Sequence, residues 1–195
     1  MLSLRRVADI LWGVLPVNKM GLKLTLVVLL QIGLMFSVAI PVAHTLLTGK
    51  SVILKTVPVD PYDMFRGDYI LLRYDISTIR TDKKFERDQL VYVSLRQDGN
   101  IWVLRDVAAS TKELDLRPGD VLLTGRVDYA YERDVHVKYG IEQVFIKERT
   151  GSEIENKGNI LVVARVDNEG KAVISHVEGG NKVIYDARKM ILGGK

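Results

Sequence analysis

LTLVVLLQIGLMFSVAIPVAHTLL, residues Leu24 to Leu47, contains no charged side chain. As a helix rising about 1.5 Å per residue, it covers a hydrocarbon core of about 30 Å with length left for tilt. Lys19 and Lys23 close it on one side and Lys50 on the other. Three parts follow from this: a basic leader over residues 1–23, a transmembrane signal-anchor helix over 24–47, and one folded domain over 51–195. A cleavable signal peptide is the competing reading, because Ser37-Val38-Ala39 offers small residues where a peptidase cuts. The apolar core of such a signal runs about 7–15 residues, shorter than this stretch, which favours a retained anchor. Pro41 is tolerated near the outer end, where freed carbonyls reach water.

On the leader side, Val7 to Val17 (VADILWGVLPV) is apolar but too short to span. Arg5, Arg6, Asp9 and Trp12 suit a helix lying in the membrane interface, with a flexible basic leader as the alternative. Four cations precede the span, and Lys50 and Lys55 follow it, a bias that predicts a cytoplasmic amino terminus and an extracytoplasmic domain in the cell membrane. The charge divides at the same place. Of 28 Lys and Arg, five lie in residues 1–50 against Asp9 alone, leaving 23 cations to balance 23 Asp and Glu in the domain. A nucleic-acid surface needs its excess on the folded part, so no nucleic-acid partner is expected. With no cysteine, disulfides, thiol nucleophiles and Cys-ligated metals are excluded.

Beyond Ser51 the pattern becomes strand-like. Val52–Val59, Asp68–Ile76, Gln89–Arg96, Ile101–Ala108, Val121–Tyr129, Ile160–Val166, Ala172–Val177 and Lys182–Tyr185 are rich in branched and aromatic residues. Turn signals separate them: Asp98-Gly99-Asn100, Arg117-Pro118-Gly119-Asp120, Asn168-Glu169-Gly170 and Glu178-Gly179-Gly180-Asn181. Short punctuated strands predict a mainly β fold, an antiparallel barrel or sandwich behind one N-terminal transmembrane helix. Helical turns are expected only at Arg80–Asp88 and Gln143–Lys147. Gly67-Asp68 and Gly119-Asp120 each stand directly before an apolar strand, where glycine permits a positive φ and aspartate bonds the backbone just beyond.

Gly67-Asp68-Tyr69-Ile70-Leu71-Leu72-Arg73-Tyr74 reads G-D-Y-x-x-L-x-Y. Alternation puts Ile70, Leu72 and Tyr74 on one strand face and Tyr69, Leu71 and Arg73 on the other. Two largely apolar faces predict a central strand, with Leu72 and Tyr74 buried and the Tyr74 hydroxyl bonded. Asp68 stands where it caps the turn or pairs with Arg66 or Arg73. The motif residues Arg66, Gly67, Asp68, Tyr69, Leu72, Arg73 and Tyr74 serve either the fold or a binding surface. This octapeptide resembles the motif that gives the GDYXXLXY proteins, membrane-anchored bacterial proteins, their name. Val59-Asp60-Pro61-Tyr62-Asp63-Met64-Phe65-Arg66 is similar to the lead-in of that family. Tyr139-Gly140-Ile141-Glu142-Gln143-Val144-Phe145-Ile146, with Glu148 and Gly151, and Val166–Ile174 (VDNEGKAVI) are similar to two later stretches. The family commonly has an aromatic where Val144 stands and a proline where Lys147 stands. The resemblance implies a short membrane protein with an extracytoplasmic domain, accompanied by a multi-helix membrane protein, and carries no activity.

Chemistry leaves few candidates. His44 lies in the span, and neither domain histidine, His136 or His176, has a second ligand at helical or hairpin spacing. Asp60, Asp63 and Asp68 offer carboxylates to a hard cation but not at EF-hand spacing. Glu142 and Glu148, in a run with Glu153 and Glu155, could form a hydrolytic pair, though mixed-charge runs are ordinarily solvated. A serine–lysine peptidase behind an anchor needs a Ser-Met-x-Pro box, and Gly49-Lys50-Ser51-Val52-Ile53 does not supply it. No cofactor and no catalytic residue are expected. The sequence is best read as a non-catalytic interaction partner of another membrane protein, held by the lipid bilayer. An envelope-ligand binder (glycan, peptide or small anion) and an enzyme without a recognisable signature remain as alternatives.

Overall fold

A computed structural model describes residues 19–57, 69–145, 160–179 and 182–192. Helix α1 spans Lys19–Thr48 and brackets the uncharged run at both ends. Its most apolar stretch has a mean hydropathy of 2.4, long and apolar enough to cross a membrane. The chain divides into two compact units at Pro41/Val42. In the first, apolar side chains such as Leu30 and Phe36 stand bare. Its hydroxyls are spent on the helix itself, with Thr25 donating to the Gly21 carbonyl and Ser37 to the Leu34 carbonyl.

The second unit is mainly β. Its strands are β1 (Lys50–Val57), β2 (Tyr69–Leu71), β3 (Arg73–Tyr74), β4 (Thr78–Arg80), β5 (Leu90–Asp98), β6 (Ile101–Ala108), β7 (Val121–Tyr131), β8 (Asp134–Lys138), β9 (Gln143–Phe145), β10 (Ile160–Val166), β11 (Ala172–Gly179) and β12 (Lys182–Asp186), followed by helix α2 (Ala187–Leu192). One antiparallel sheet runs β12-β11-β10-β1-β3 and a second runs β4-β8-β7-β5-β6. β2 and β9 form a separate pair. β6, at an edge of the second sheet, approaches β1 of the first. Alternation explains the core between them. Val52 and Leu54 of β1, Val162 and Ala164 of β10, Val91, Val93 and Leu95 of β5 and Leu123 and Val127 of β7 are buried in one apolar cluster, while most of their neighbours in sequence turn outward. Ser94 and Val163, at register shifts, are buried as well.

β6 and β10 occupy the residues the sequence predicts, and β1, β5, β7, β11 and β12 differ only at their ends. Three short strands, β4, β8 and β9, and the helix α2 were not anticipated. Gln143–Phe145 is β9 rather than a helical turn, because Ile70↔Val144 and Leu71↔Gln143 pair it with β2 and Val144 is buried. Of the expected turn at Arg80–Asp88, Arg80 belongs to β4 and the rest is irregular. Side chains there take backbone partners that a helix would have claimed. The Lys83 amide donates to Thr81 Oγ1, the Glu86 amide to Gln89 Oε1, and the Thr81 amide to the Arg133 carbonyl.

Candidate functional site

The octapeptide strand is not central and not continuous. It breaks at Leu72, whose amide donates to the Glu142 carbonyl at 2.7 Å. Before the break β2 pairs with β9, and after it β3 pairs with β1 through Thr56↔Tyr74 and Val57↔Arg73. The segment is a corner where the chain passes from one sheet to another, and it ends in a 3-10 turn at Asp75–Ser77. Only one face is buried as expected: Leu72 is 4% and Tyr74 1% exposed, while Leu71 is half-buried and Arg73 lies in solvent. Gly67, Asp68, Arg66, Asp60, Asp63 and Glu148 lie outside the described residues, as does the expected interfacial helix at Val7–Val17, and Tyr69 is placed only as the backbone partner of Phe145.

Two buried tyrosines exchange hydroxyl bonds across this corner. Tyr74 Oη donates to the Ile141 carbonyl at 2.5 Å, and Tyr139 Oη donates to the Ile76 carbonyl at 2.6 Å. Each phenol thus bonds the segment that carries the other. Glu142 holds the second segment in shape, its carboxylate accepting the Tyr139 amide at 2.5 Å and the Gly140 amide at 3.0 Å. Burial, and secondarily the Glu142 charge, pushes both phenols well above the ordinary tyrosine range. They stay protonated and keep donating. Both oxygens of Glu142 accept backbone amides. The structure brings Leu72, Tyr74 and Glu142 together and leaves Arg73 apart. Tyr139 and Ile141 were not singled out from the sequence, although the stretch that contains them was.

Beside this corner lies a depression of about 440 Å³ lined in part by Asp88, Arg126, Asp128, Lys138, Tyr139 and Glu142. Its cations are engaged: Lys138 Nζ lies 2.9 Å from Asp128, and Arg126 donates to the Asp88 carbonyl at 3.0 Å. His176 Nε2 lies 3.2 Å from Glu178. Among the described residues no three His, Asp or Glu side chains converge as metal ligands would.

A second junction joins the helix end to the sheets. Residues 42–48 belong to the β unit, where Thr45 and Leu46 are buried. The Gly49 amide closes the last turn on the Thr45 carbonyl, and Arg165 donates to the Gly49 carbonyl at 3.0 Å. A Cβ on Gly49 would lie 2.5 Å from the Thr45 oxygen. Asp167 gathers the rest. Its Oδ1 accepts the Glu169 and Lys171 amides of the β10–β11 hairpin, both at 2.9 Å, and its Oδ2 accepts Thr45 Oγ1 at 3.1 Å. Gly170 completes the turn with φ 84, and its carbonyl receives the Thr124 amide of β7, tying the hairpin to the second sheet. Gly119 also turns with a positive φ, but Asp120 bonds the amide of Arg117 before it rather than the backbone beyond.

No curated protein and no solved structure significantly matches the chain. A family match to the GDYXXLXY proteins covers residues 31–177, taking in the corner, the Glu142 segment and the Asp167 hairpin. The chain belongs to the GDYXXLXY protein family.

Proposed function

We propose that this protein is a non-catalytic interaction domain tethered at the cell membrane, with α1 as a retained signal anchor and the β unit outside the cytoplasm, serving another membrane protein. The observation that carries this reading is the junction. α1 ends at Thr48 and β1 begins at Lys50, so a single residue separates helix from sheet, and Asp167 and Arg165 bond both sides of that step. A domain that sweeps the envelope for soluble ligands profits from a long flexible linker. A domain that meets a neighbour in the same bilayer does not need one. The hydrogen bonds of the tyrosine corner agree with a structural role, since they tie its two segments to each other.

The test is co-extraction of the full-length protein in mild detergent with quantitative mass spectrometry, beside a variant whose residues 24–47 are replaced by an unrelated spanning sequence. One multi-helix membrane protein is expected in stoichiometric yield with the native chain. A chain that extracts alone under every mild condition overturns the reading.

A further inference from the structure

Beyond the tether, the outer face of the second sheet carries a feature the partner reading does not use. β8 pairs with β4 through Thr78↔His136 and Arg80↔Asp134, and with β7 through Tyr129↔His136 and Tyr131↔Asp134. Residues directly opposite one another share a face. Two rows therefore cross the three strands, Thr78–His136–Tyr129 and Arg80–Asp134–Tyr131. The row between them, Ile79–Val135–Ala130, belongs to the opposite face, where Ile79 and Val135 are buried.

Tyr129 reaches the outer face because of a β-bulge. Val127 pairs with Val137 inside the core, and strict alternation would turn Tyr129 inward as well. The register slips between Val127 and Tyr129, leaving Asp128 as an extra residue, and Tyr129 is re-aimed outward. There it is 49% exposed and Tyr131 is 71% exposed. The Tyr129 ring stacks on His136 with centroids 4.1 Å apart and planes 20° apart, and Thr78 Oγ1 lies 3.2 Å from His136 Nδ1. Tyr129 is thus held before any ligand arrives, which lowers the ordering cost of binding there. Neither tyrosine hydroxyl has a hydrogen-bond partner among the described residues.

Charge selects the ligand. Within the two rows Arg80 faces Asp134 at 3.3 Å, and next to them Lys138 faces Asp128 at 2.9 Å, while Arg126 opposite Lys138 donates to the Asp88 carbonyl. Within the rows that carry the tyrosines, a polyanion finds no surplus cation to neutralise. Two exposed tyrosines whose backbone positions lie about 6.8 Å apart along the strand, beside hydroxyl, imidazole and paired ionic groups, suit a ligand with apolar C–H faces and many hydroxyls. Aromatic faces carry partial negative charge and attract such C–H groups. We propose that this face, centred on Tyr129 and Tyr131, is a binding shelf for a neutral saccharide chain.

The experiment uses the full-length protein in lipid nanodiscs, so that no glycoside detergent competes. It is titrated calorimetrically with neutral β-linked hexasaccharides of glucose and of N-acetylglucosamine, and with a sulfated hexasaccharide. Saturable binding of a neutral chain is expected, weakened about tenfold by Tyr131→Ala and retained by Tyr131→Phe, as for loss of one stacking platform. Tyr131 is exposed, and an unchanged melting temperature confirms that the alanine variant is folded. Three results overturn the proposal. They are no binding of either neutral chain, neutral binding indifferent to Tyr131→Ala, and binding of the sulfated chain alone. A membrane partner that is lost with Tyr131→Ala while no saccharide binds assigns the face to protein contact instead. The partner reading is tested separately by co-extraction, so either proposal can fail without the other.

Discussion

Tyr74 and Tyr139 show how much a single hydroxyl decides here. Tyr74→Phe keeps the ring and strands the buried Ile141 carbonyl without its donor, which should cost about 1–3 kcal/mol. Leu72→Ala at the break between β2 and β3 removes the packing of the side chain beyond Cβ from a residue 4% exposed and should cost roughly 2–5 kcal/mol. Denaturation of the full-length protein, read by circular dichroism, checks both. The same phenols set a pH limit. Each is raised in the folded state above an unfolded value of 10.0, so their stabilisation is whole below pH 10.0 and drains away as pH climbs toward the folded values. Melting temperature should fall on the alkaline side of that value. It should fall less steeply in a Tyr74→Phe, Tyr139→Phe double variant, and an equal slope would show that other groups govern alkaline unfolding.

Among the elements, the β10–β11 hairpin has more to hold than its own turn. Asp167 accepts two hairpin amides and the Thr45 hydroxyl from the end of α1. Asp167→Ala should lower stability by about 2–3 kcal/mol and speed amide exchange at Glu169 and Lys171. Gly49→Ala attacks the same junction sterically. Its Cβ would meet the Thr45 carbonyl oxygen and the Val166 backbone, atoms fixed by helix and strand, and a cost of about 1–3 kcal/mol is expected. Melts that leave Gly49→Ala unchanged would show that the chain opens at this step without loss. The short strands β4, β8 and β9 owe their existence to such neighbours. β8 has the alternation of Val135 and Val137, both buried, and was legible in principle. β4 and β9, three residues each, are defined by what they pair with.

For the molecule as a whole, the separation of charge is the governing feature. The excess of cations lies before the apolar run, and the β unit is balanced. If that bias orients the chain as proposed, a reporter that fluoresces only in the cytoplasm, fused after Lys195, stays dark while the intact fusion accumulates in the membrane. Bright intact fusions would reverse the topology and, with it, the compartment in which a partner or a saccharide could be met.

The sequence by itself determined those features whose physics is local. An uncharged run of 24 residues is a helix candidate wherever it stands. Alternating branched residues between Gly, Asn and Asp turns produced β6 and β10 at the residues expected. The octapeptide with its companions sufficed for the family. Tertiary structure decided what depends on distant residues. The phenols of Tyr74 and Tyr139 find carbonyls 67 and 63 residues away, the motif strand breaks because Glu142 claims the Leu72 amide, and Asp128 is an extra residue only against the register of β8. A backbone preference acts over a few residues, whereas a hydrogen-bond partner or a strand neighbour is chosen after the chain has closed on itself. That is why the buried face of Leu72 and Tyr74 could be read in advance and the sheet-to-sheet corner they occupy could not.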